Sequence, residues 1–344
     1  MTLPIIGITL GDVAGIGPEV VATALPPILR DIPCQPIVFG HPEILRRAIR
    51  LRNTSLDVVE PGATVLPGDP SKRVLVTPCM DDNVLDVKPG LVDAFAGEAA
   101  YQAIATAVKA AKENKIQAVV TAPIHKEALN LAGHCYPGHT ELIADHCGVK
   151  DVAMMLYLGP NQHLRSPHGL AVVHVSLHIS MRKMFDLITQ ENVLSKIKLV
   201  DQFMRRIIRD RNLPHIGVCS LNPHAGEGGL FGSEEYEIIR PAVEVALSQG
   251  FSVEGPCPAD TIMIGARDGK FDAVVAMFHD QGHIAVKLLG IHRAVNITLG
   301  LPIIRTSVAH GTAFDIAWKG VANPGSLVEA VRVAALLCAK EPGM

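Results

Sequence analysis

Short apolar runs of strand character alternate with helix-like stretches along this chain, and several of the runs stop at a polar cluster. That alternation favours an α/β fold over an all-α or all-β one. Residues 5–10, 36–40, 117–122, 153–158, 170–176, 215–221 and 273–278 read as strands, with 153–158 and 170–176 as a pair. Residues 18–25, 95–113, 191–209 and 327–339 have apolar positions at helical spacing, the second of them Ala-rich. The helix over 18–25 opens with Pro18 near its first turn. Residues 51–90 are rich in Pro and Gly and read as irregular connection with β-like pieces. A chain of 344 residues exceeds the usual single-domain range, so one two-lobed unit over 1–344 is expected, with a lobe exchange near 125–150 and a late return to the first lobe.

Several function classes are disfavoured. The formal net charge is −3 and no Lys/Arg cluster marks a phosphate-tracking surface, so a nucleic-acid partner is not expected. No apolar run is long enough to cross a bilayer, and the opening MTLPIIGITLGD reads as a first strand rather than a signal peptide. The seven cysteines are odd in number and form no C-x-x-C. That argues against a disulfide framework or a thiolate zinc site and for a reducing cytoplasm. A metal here has to be held by His and carboxylates.

The polar clusters hold the candidate chemistry, because open α/β sheets bind ligands beyond their strand ends. They are Thr121-Ala122-Pro123-Ile124-His125-Lys126, Pro137-Gly138-His139-Thr140-Glu141, His174-Val175-Ser176-Leu177-His178, Asn222-Pro223-His224-Ala225-Gly226-Glu227 and His279-Asp280-Gln281-Gly282-His283. His178, His224 and His279 each lie just past an apolar run. Three imidazoles from separate strand ends could hold a divalent ion with positions left open for substrate; alternatively each one caps its own strand. The Gly138-His139-Thr140-Glu141 segment suits an anion at a helix N-terminus, or an ordinary cap by Thr140. Lys287, Asn296 and Arg305 sit among apolar stretches near Gly300-Leu301-Pro302, where Arg can pair with a carboxylate or phosphate. The Gly11–Pro18 segment is not G-x-G-x-x-G and no Walker lysine is present, so a Rossmann dinucleotide site is disfavoured.

Taken together the motifs TAPIHK (121–126), PGHTE (137–141), LNPHAGEGG (221–229), PADT (258–261), HDQGH (279–283), VNITLGLPIIRTS (295–307) and HGTA (310–313) closely resemble the 4-hydroxythreonine-4-phosphate dehydrogenase family of pyridoxal phosphate biosynthesis. The resemblance spans nearly the whole chain. It implies two α/β lobes like those of isopropylmalate and isocitrate dehydrogenases, an active site in the interlobe cleft, and a homodimer with shared active sites. It further implies NAD or NADP as oxidant and a divalent ion (Zn, Mg or Co) held by His178, His224 and His279. The substrate is then a small phosphorylated hydroxy acid, contacted by His139, Thr140, Lys287, Asn296 and Arg305. Asp260 and Lys126 fall in matching catalytic motifs, and His310, Gly311 and Thr312 in the cofactor motif.

The family usually has Asp before HGTA where this chain has Ala309, and Pro where it has Val13. The implied reaction is hydride transfer from a 3-hydroxyl followed by decarboxylation of the β-keto acid. 4-Hydroxythreonine 4-phosphate is the first substrate reading. D-Threonate or D-erythronate 4-phosphate is the alternative, favoured by HCYPGHTEL, HDQGHIAVKLLG and HGTAFDIAW. An acyltransferase, needing no metal-placed histidines, and a silent phosphate-binding protein are the other classes. The amphipathic stretch 191–209 is a candidate for the dimer interface.

Overall fold

The computed structural model describes residues 3–62, 69–208 and 213–339. The chain divides into two compact units, residues 1–150 with 301–344, and residues 151–300.

The first unit carries six strands: β1 (Ile5–Thr9), β2 (Gln35–Gly40), β3 (Asp57–Val59), β4 (Arg73–Pro78), β5 (Ala118–Thr121) and β12 (Ile304–Val308). They lie in the order β3-β4-β2-β1-β5-β12. Every pairing among them is parallel, with Ile8 opposite both Val38 and Val120, and Val120 opposite Thr306. Central parallel strands are covered on both faces, so they are apolar throughout rather than alternating; all of β5 is buried. The covering helices are α1 (Gly17–Asp31), α2 (Pro42–Arg52), α3 (Ala94–Lys112), α4 (Lys126–Leu131), α5 (His139–Cys147) and, from the end of the chain, α11 (Gly325–Cys338).

Two sequence expectations change here. Residues 51–90 are not merely irregular, because β4 is an internal strand between β2 and β3, with Val74 and Val76 fully buried. The helix that begins at Pro18 does not stop at Leu25. It runs through Pro26 and Pro27 to Asp31, anchored by a fully buried Ile28; proline's fixed φ is compatible with a helix even though its missing N–H is not ideal.

The elements around TAPIHK are bolted together by one apolar cluster. Ile104 and Val108 of α3, Leu129 of α4, and Leu142 and Ile143 of α5 are buried against each other, each worth about 1.5–3 kcal/mol on burial. Close approach of α3 to α4 depends on Gly97, where a Cβ would collide with the Ala128 carbonyl. Asp93 caps α3 by accepting from the amides of Phe95 and Ala96.

The second unit carries β6 (Ala153–Leu158), β7 (Leu170–His174), β8 (Ile216–Cys219), β9 (Val253–Cys257), β10 (Ala273–Ala276) and β11 (Ala294–Leu299). Their order is β11-β6-β7-β10-β8-β9. β6 is antiparallel to both neighbours, confirming its expected pairing with β7. β7, β10, β8 and β9 are mutually parallel. The helices are α6 (Met181–Met184), α7 (Gln190–Ile207), α8 (Arg240–Ser248), α9 (Ala259–Arg267) and α10 (His279–Gly290). Arg209, the expected end of α7, lies outside the described residues.

The apolar face of α7 is not spare. Val193, Ile197, Val200, Phe203, Met204 and Ile207 are buried, and the helix packs on α8, β7 and β10 of its own unit. Among the large apolar side chains left exposed are Ile284 at 57 % and Leu288 at 83 % on α10, and Leu230 at 73 % beside the His224 turn. Among the described residues no helix is long and apolar enough to cross a membrane.

Candidate active site

Because β7, β10, β8 and β9 run the same way, their C-terminal ends share one edge of the second unit. His178 follows β7, His279 opens α10 after β10, the His224 turn follows β8, and Asp260 lies in the first turn of α9 after β9. This is the edge at which open α/β sheets place ligands.

Backbone and side-chain links fix the first two histidines. Ser176 donates from Oγ to the Met277 carbonyl at 2.9 Å. Gln281 joins the ends of β8 and β10: its Nε2 donates to the Ser220 carbonyl at 2.8 Å, and its Oε1 accepts from the Met277 amide at 2.7 Å. The His178 and His279 rings then lie 5.8 Å apart between centroids. Both line a cavity of about 480 Å³ with Ser176, Met181, Met184 and Phe278.

The donor set suits a divalent ion. His279 Nδ1 is 2.7 Å from Asp280 Oδ1. A carboxylate only accepts, so Nδ1 carries the proton and Nε2 is left for ligation, the arrangement by which carboxylates orient metal-bound imidazoles. Behind it His283 stacks on His279 at 3.8 Å, and His283 Nδ1 lies 3.1 Å from His174 Nε2. Burial, reinforced by the neighbouring imidazoles, pushes His283 down to about 4 and His174 to about 3.

His224 is not gathered with this pair in the single chain. Among the described residues no group of three His, Cys, Asp or Glu side chains is close enough to hold an ion. The His224 side chain is 71 % exposed and lies 3.5 Å from Glu227. Its turn has an unusual backbone. His224, Ala225, Gly226, Glu227 and Gly228 all have φ between 43° and 77°, a left-handed turn. Each non-Gly residue there costs roughly 1–2 kcal/mol. Strain of this kind concentrates at functional sites.

The first unit gathers a different set. α5 begins at His139 with Gly138 as its N-cap and no side-chain cap, so Thr140 sits inside the first turn rather than capping it. The first-turn amides of such a helix favour an anion. Lys126 reaches this point, its Cε 3.9 Å from where a Gly138 Cβ would stand. Arg305 on β12 is buried, and its Nη2 donates to Thr121 Oγ1 at 2.7 Å. Burial lowers its guanidinium to about 9, against a raising contribution from Glu141, so it is cationic at neutral pH.

His139 Nε2 lies 3.2 Å from the Ala122 carbonyl. Burial first, then the Arg305 charge, holds this imidazole well below its ordinary value. It is therefore neutral, with Nε2–H donating to the carbonyl and Nδ1 left as an acceptor. Such a ring suits a hydroxyl, not a phosphate oxygen.

The loops after β1 and β12 interlock on the same unit. The Ile16 amide donates to the Thr312 carbonyl at 3.0 Å. The Trp318 amide donates to Glu19 Oε1, and Trp318 Nε1 to the Val13 carbonyl, both at 2.8 Å. This seats Thr312 against the first glycine loop, next in the chain to His310 and Gly311. Lys287 is exposed on α10, and Asn296 is half-buried on β11 with no partner for its Oδ1 among the described residues.

Asp12 is fully buried in that first loop, Oδ1 accepting from the Ala14 amide at 2.8 Å. Burial pushes its carboxyl up to about 6, while the amides of Ala14, Gly15 and His125 pull it down. From its ordinary value of 3.8 up to about 6 the folded chain keeps a proton the unfolded chain has lost, so stability falls as pH rises through that window. Relative to Asp12→Asn, the wild-type protein is expected to lose up to about 3 kcal/mol between about pH 4 and pH 7. Urea unfolding of both proteins across that range tests this; a difference independent of pH contradicts it.

Glu235 and Gln281 are the supporting residues that sequence reasoning passed over. Gln281 lies inside the HDQGH motif, which was its only signal; Glu235 lies in none of the motifs, yet it is fully buried.

Comparison with known proteins bears on this arrangement. Residues 33–334 match the family model described as pyridoxal phosphate biosynthetic protein PdxA. The D-threonate 4-phosphate dehydrogenase of Pectobacterium atrosepticum is 43 % identical over 96 % of this chain and 98 % of its own length. The 4-hydroxythreonine-4-phosphate dehydrogenase of Desulforapulum autotrophicum is 42 % identical over 97 % of this chain and 95 % of its own. The crystal structure of 4-hydroxythreonine-4-phosphate dehydrogenase from Klebsiella pneumoniae is similar with a TM-score of 0.83 at 41 % identity, covering 98 % of this chain and all of that one.

Proposed function

The chain belongs to the pyridoxal phosphate biosynthetic protein PdxA family, and from that premise we propose that it is an NAD-dependent, divalent-metal-dependent dehydrogenase that oxidises and decarboxylates a 4-phosphorylated four-carbon hydroxy acid. The relatives are dehydrogenases, and this chain is an enzyme of that class acting on a CH–OH group. The observation that carries the reading is the His178–His279 pair on one cavity, with Asp280 behind His279. 4-Hydroxythreonine 4-phosphate is the first substrate reading. D-Threonate 4-phosphate is the second, favoured by the name of the Pectobacterium relative.

When bound, the divalent ion (Zn, Mg or Co) would draw charge from the oxygen on the substrate carbon being oxidised, and NAD or NADP would take up the hydride. The chain's own residues do the positioning. The α5 N-terminus with Thr140 takes the phosphate, and Arg305 pairs with an anionic oxygen. Neutral His139 accepts from a substrate hydroxyl through Nδ1. Lys287 and Asn296 are further substrate contacts, Asp260 and Lys126 the candidate proton-transfer groups, and His310, Gly311 and Thr312 the cofactor loop.

The third metal ligand, His224, comes from the second chain of a homodimer. Three features support this: its separation from the histidine pair within one chain, its exposure, and the exposed apolar side chains of Leu230 beside it and Ile284 and Leu288 on α10.

An NAD-reduction assay across 4-hydroxythreonine, D-threonate and D-erythronate 4-phosphates and their unphosphorylated forms tests the function. Loss of two charge-assisted hydrogen bonds corresponds to about 3–6 kcal/mol, so phosphorylated acids should be preferred by roughly 10²-fold or more. Equal turnover with and without phosphate contradicts the anion-site reading, and the preferred phosphorylated acid identifies the substrate.

A further inference from the structure

The left-handed turn that carries His224 rests on one buried carboxylate. Glu235 opens the π-helical turn Glu235–Ile239 and has no exposed surface. Its Oε1 accepts from the backbone amides of Leu221 at 2.8 Å and Asn222 at 2.7 Å. Its Oε2 accepts from Asn222 Nδ2 at 2.9 Å. The same Oε2 lies against Gly226, where a Cβ would stand 2.8 Å away. One carboxylate thus grips the entry of the turn and touches its middle. Glu234 supports it from outside, its Oε2 accepting from Asn222 Nδ2 at 2.7 Å.

Backbone conformations this unfavourable persist only where their surroundings over-determine them, and charge-assisted bonds to backbone amides are among the strongest available to do so. Glu235 is shielded from solvent and spends its acceptors on this turn. Its carboxylate therefore bears on which way His224 is presented.

We propose that Glu235 is the positioning residue for His224, holding the left-handed turn so that the imidazole is pre-organised for a divalent metal. The proposal rests on the reading of His224 as a ligand. When only a fraction of molecules hold the competent turn, metal affinity falls in proportion to that fraction. Glu235→Gln fills the same space with one acceptor and one donor where two acceptors are needed. Whichever way the amide is turned, an N–H meets either the backbone amides or Asn222 Nδ2.

Co²⁺ titration of the metal-free, full-length protein reads the effect through visible absorption and affinity. Glu235→Gln is expected to weaken Co²⁺ binding by about ten- to a hundred-fold and to shift the spectrum towards that of His224→Ala. Hydrogen exchange at the Leu221 and Asn222 amides should quicken even without metal. A merely structural residue would lower the melting temperature and leave the Co²⁺ affinity of the folded protein unchanged. Asn222→Ala removes the Nδ2 bonds to Glu235 Oε2 and Glu234 Oε2, keeps the backbone-amide bonds to Glu235 Oε1, and should weaken binding by a smaller factor; it is the variant to read if Glu235→Gln does not fold. Wild-type affinity and spectrum in the Glu235 and Asn222 variants, beside a clear loss in His224→Ala, would overturn the proposal while leaving His224 as ligand. Unchanged Co²⁺ binding in His224→Ala overturns the ligand reading, and the proposal with it.

Discussion

His279→Ala is expected to lower kcat/KM by on the order of 10³-fold or more and to leave the purified protein without stoichiometric metal. Lewis-acid stabilisation of a developing oxyanion is worth several kcal/mol, and each 1.36 kcal/mol is about tenfold in rate. The ring is placed for this by three contacts: Asp280 at its Nδ1, His283 stacked behind it, and the α10 N-terminus held to β8 by Gln281. Asp280→Asn keeps the ring but weakens its orientation, so a smaller loss of about ten- to a hundred-fold is expected. Metal analysis and steady-state kinetics on both variants check the ranking. Wild-type metal content in His279→Ala would remove the histidine from the site.

Arg305→Ala should lower kcat/KM by about 10–10⁴-fold with phosphorylated substrates, from the loss of one or two charge-assisted hydrogen bonds worth roughly 1.5–3 kcal/mol each. Arg305 is buried near the start of β12, beside Thr121, and its charge acts on His139. Its planar fork is what an anionic oxygen requires, and Lys offers only a point charge. Arg305→Lys should therefore recover little of the loss. The kinetic defect should appear in protein that melts normally, and a loss of less than about fivefold would place the anion elsewhere.

Much of this layout was legible in the sequence because parallel strands leave continuous apolar runs, and the polar residues after them stand out. β5 is the plainest case, since AVVT ends cleanly at Ala122-Pro123. β4 was obscured because its few buried residues, Val74 and Val76, lie within a Pro- and Gly-rich stretch. The double proline hid the second half of α1. Gly138 rather than Thr140 caps α5. His139 reads as a phosphate contact in sequence, but its neutral state depends on burial and on a guanidinium distant along the chain, and these outweigh the hydrogen bond to the Ala122 carbonyl. The spare apolar surface was sought on α7, whose amphipathic pattern only says that one face is buried. α10, with HDQGH at its start, is among the elements that leave large apolar side chains exposed, here Ile284 and Leu288. Glu235 gave no signal because the burial of a carboxylate is a tertiary fact.

The central claim is a metal site completed across a dimer, and a mixed dimer tests it most directly. His178→Ala and His224→Ala chains, each inactive alone, are co-expressed with different tags and the heterodimer is purified through both. If His178 and His279 of one chain are joined by His224 of the other, one of the two sites in the heterodimer is intact, and about half of the wild-type activity per dimer is expected. If all three ligands come from one chain, both sites are broken and the heterodimer is as inactive as its parents, which would contradict the account.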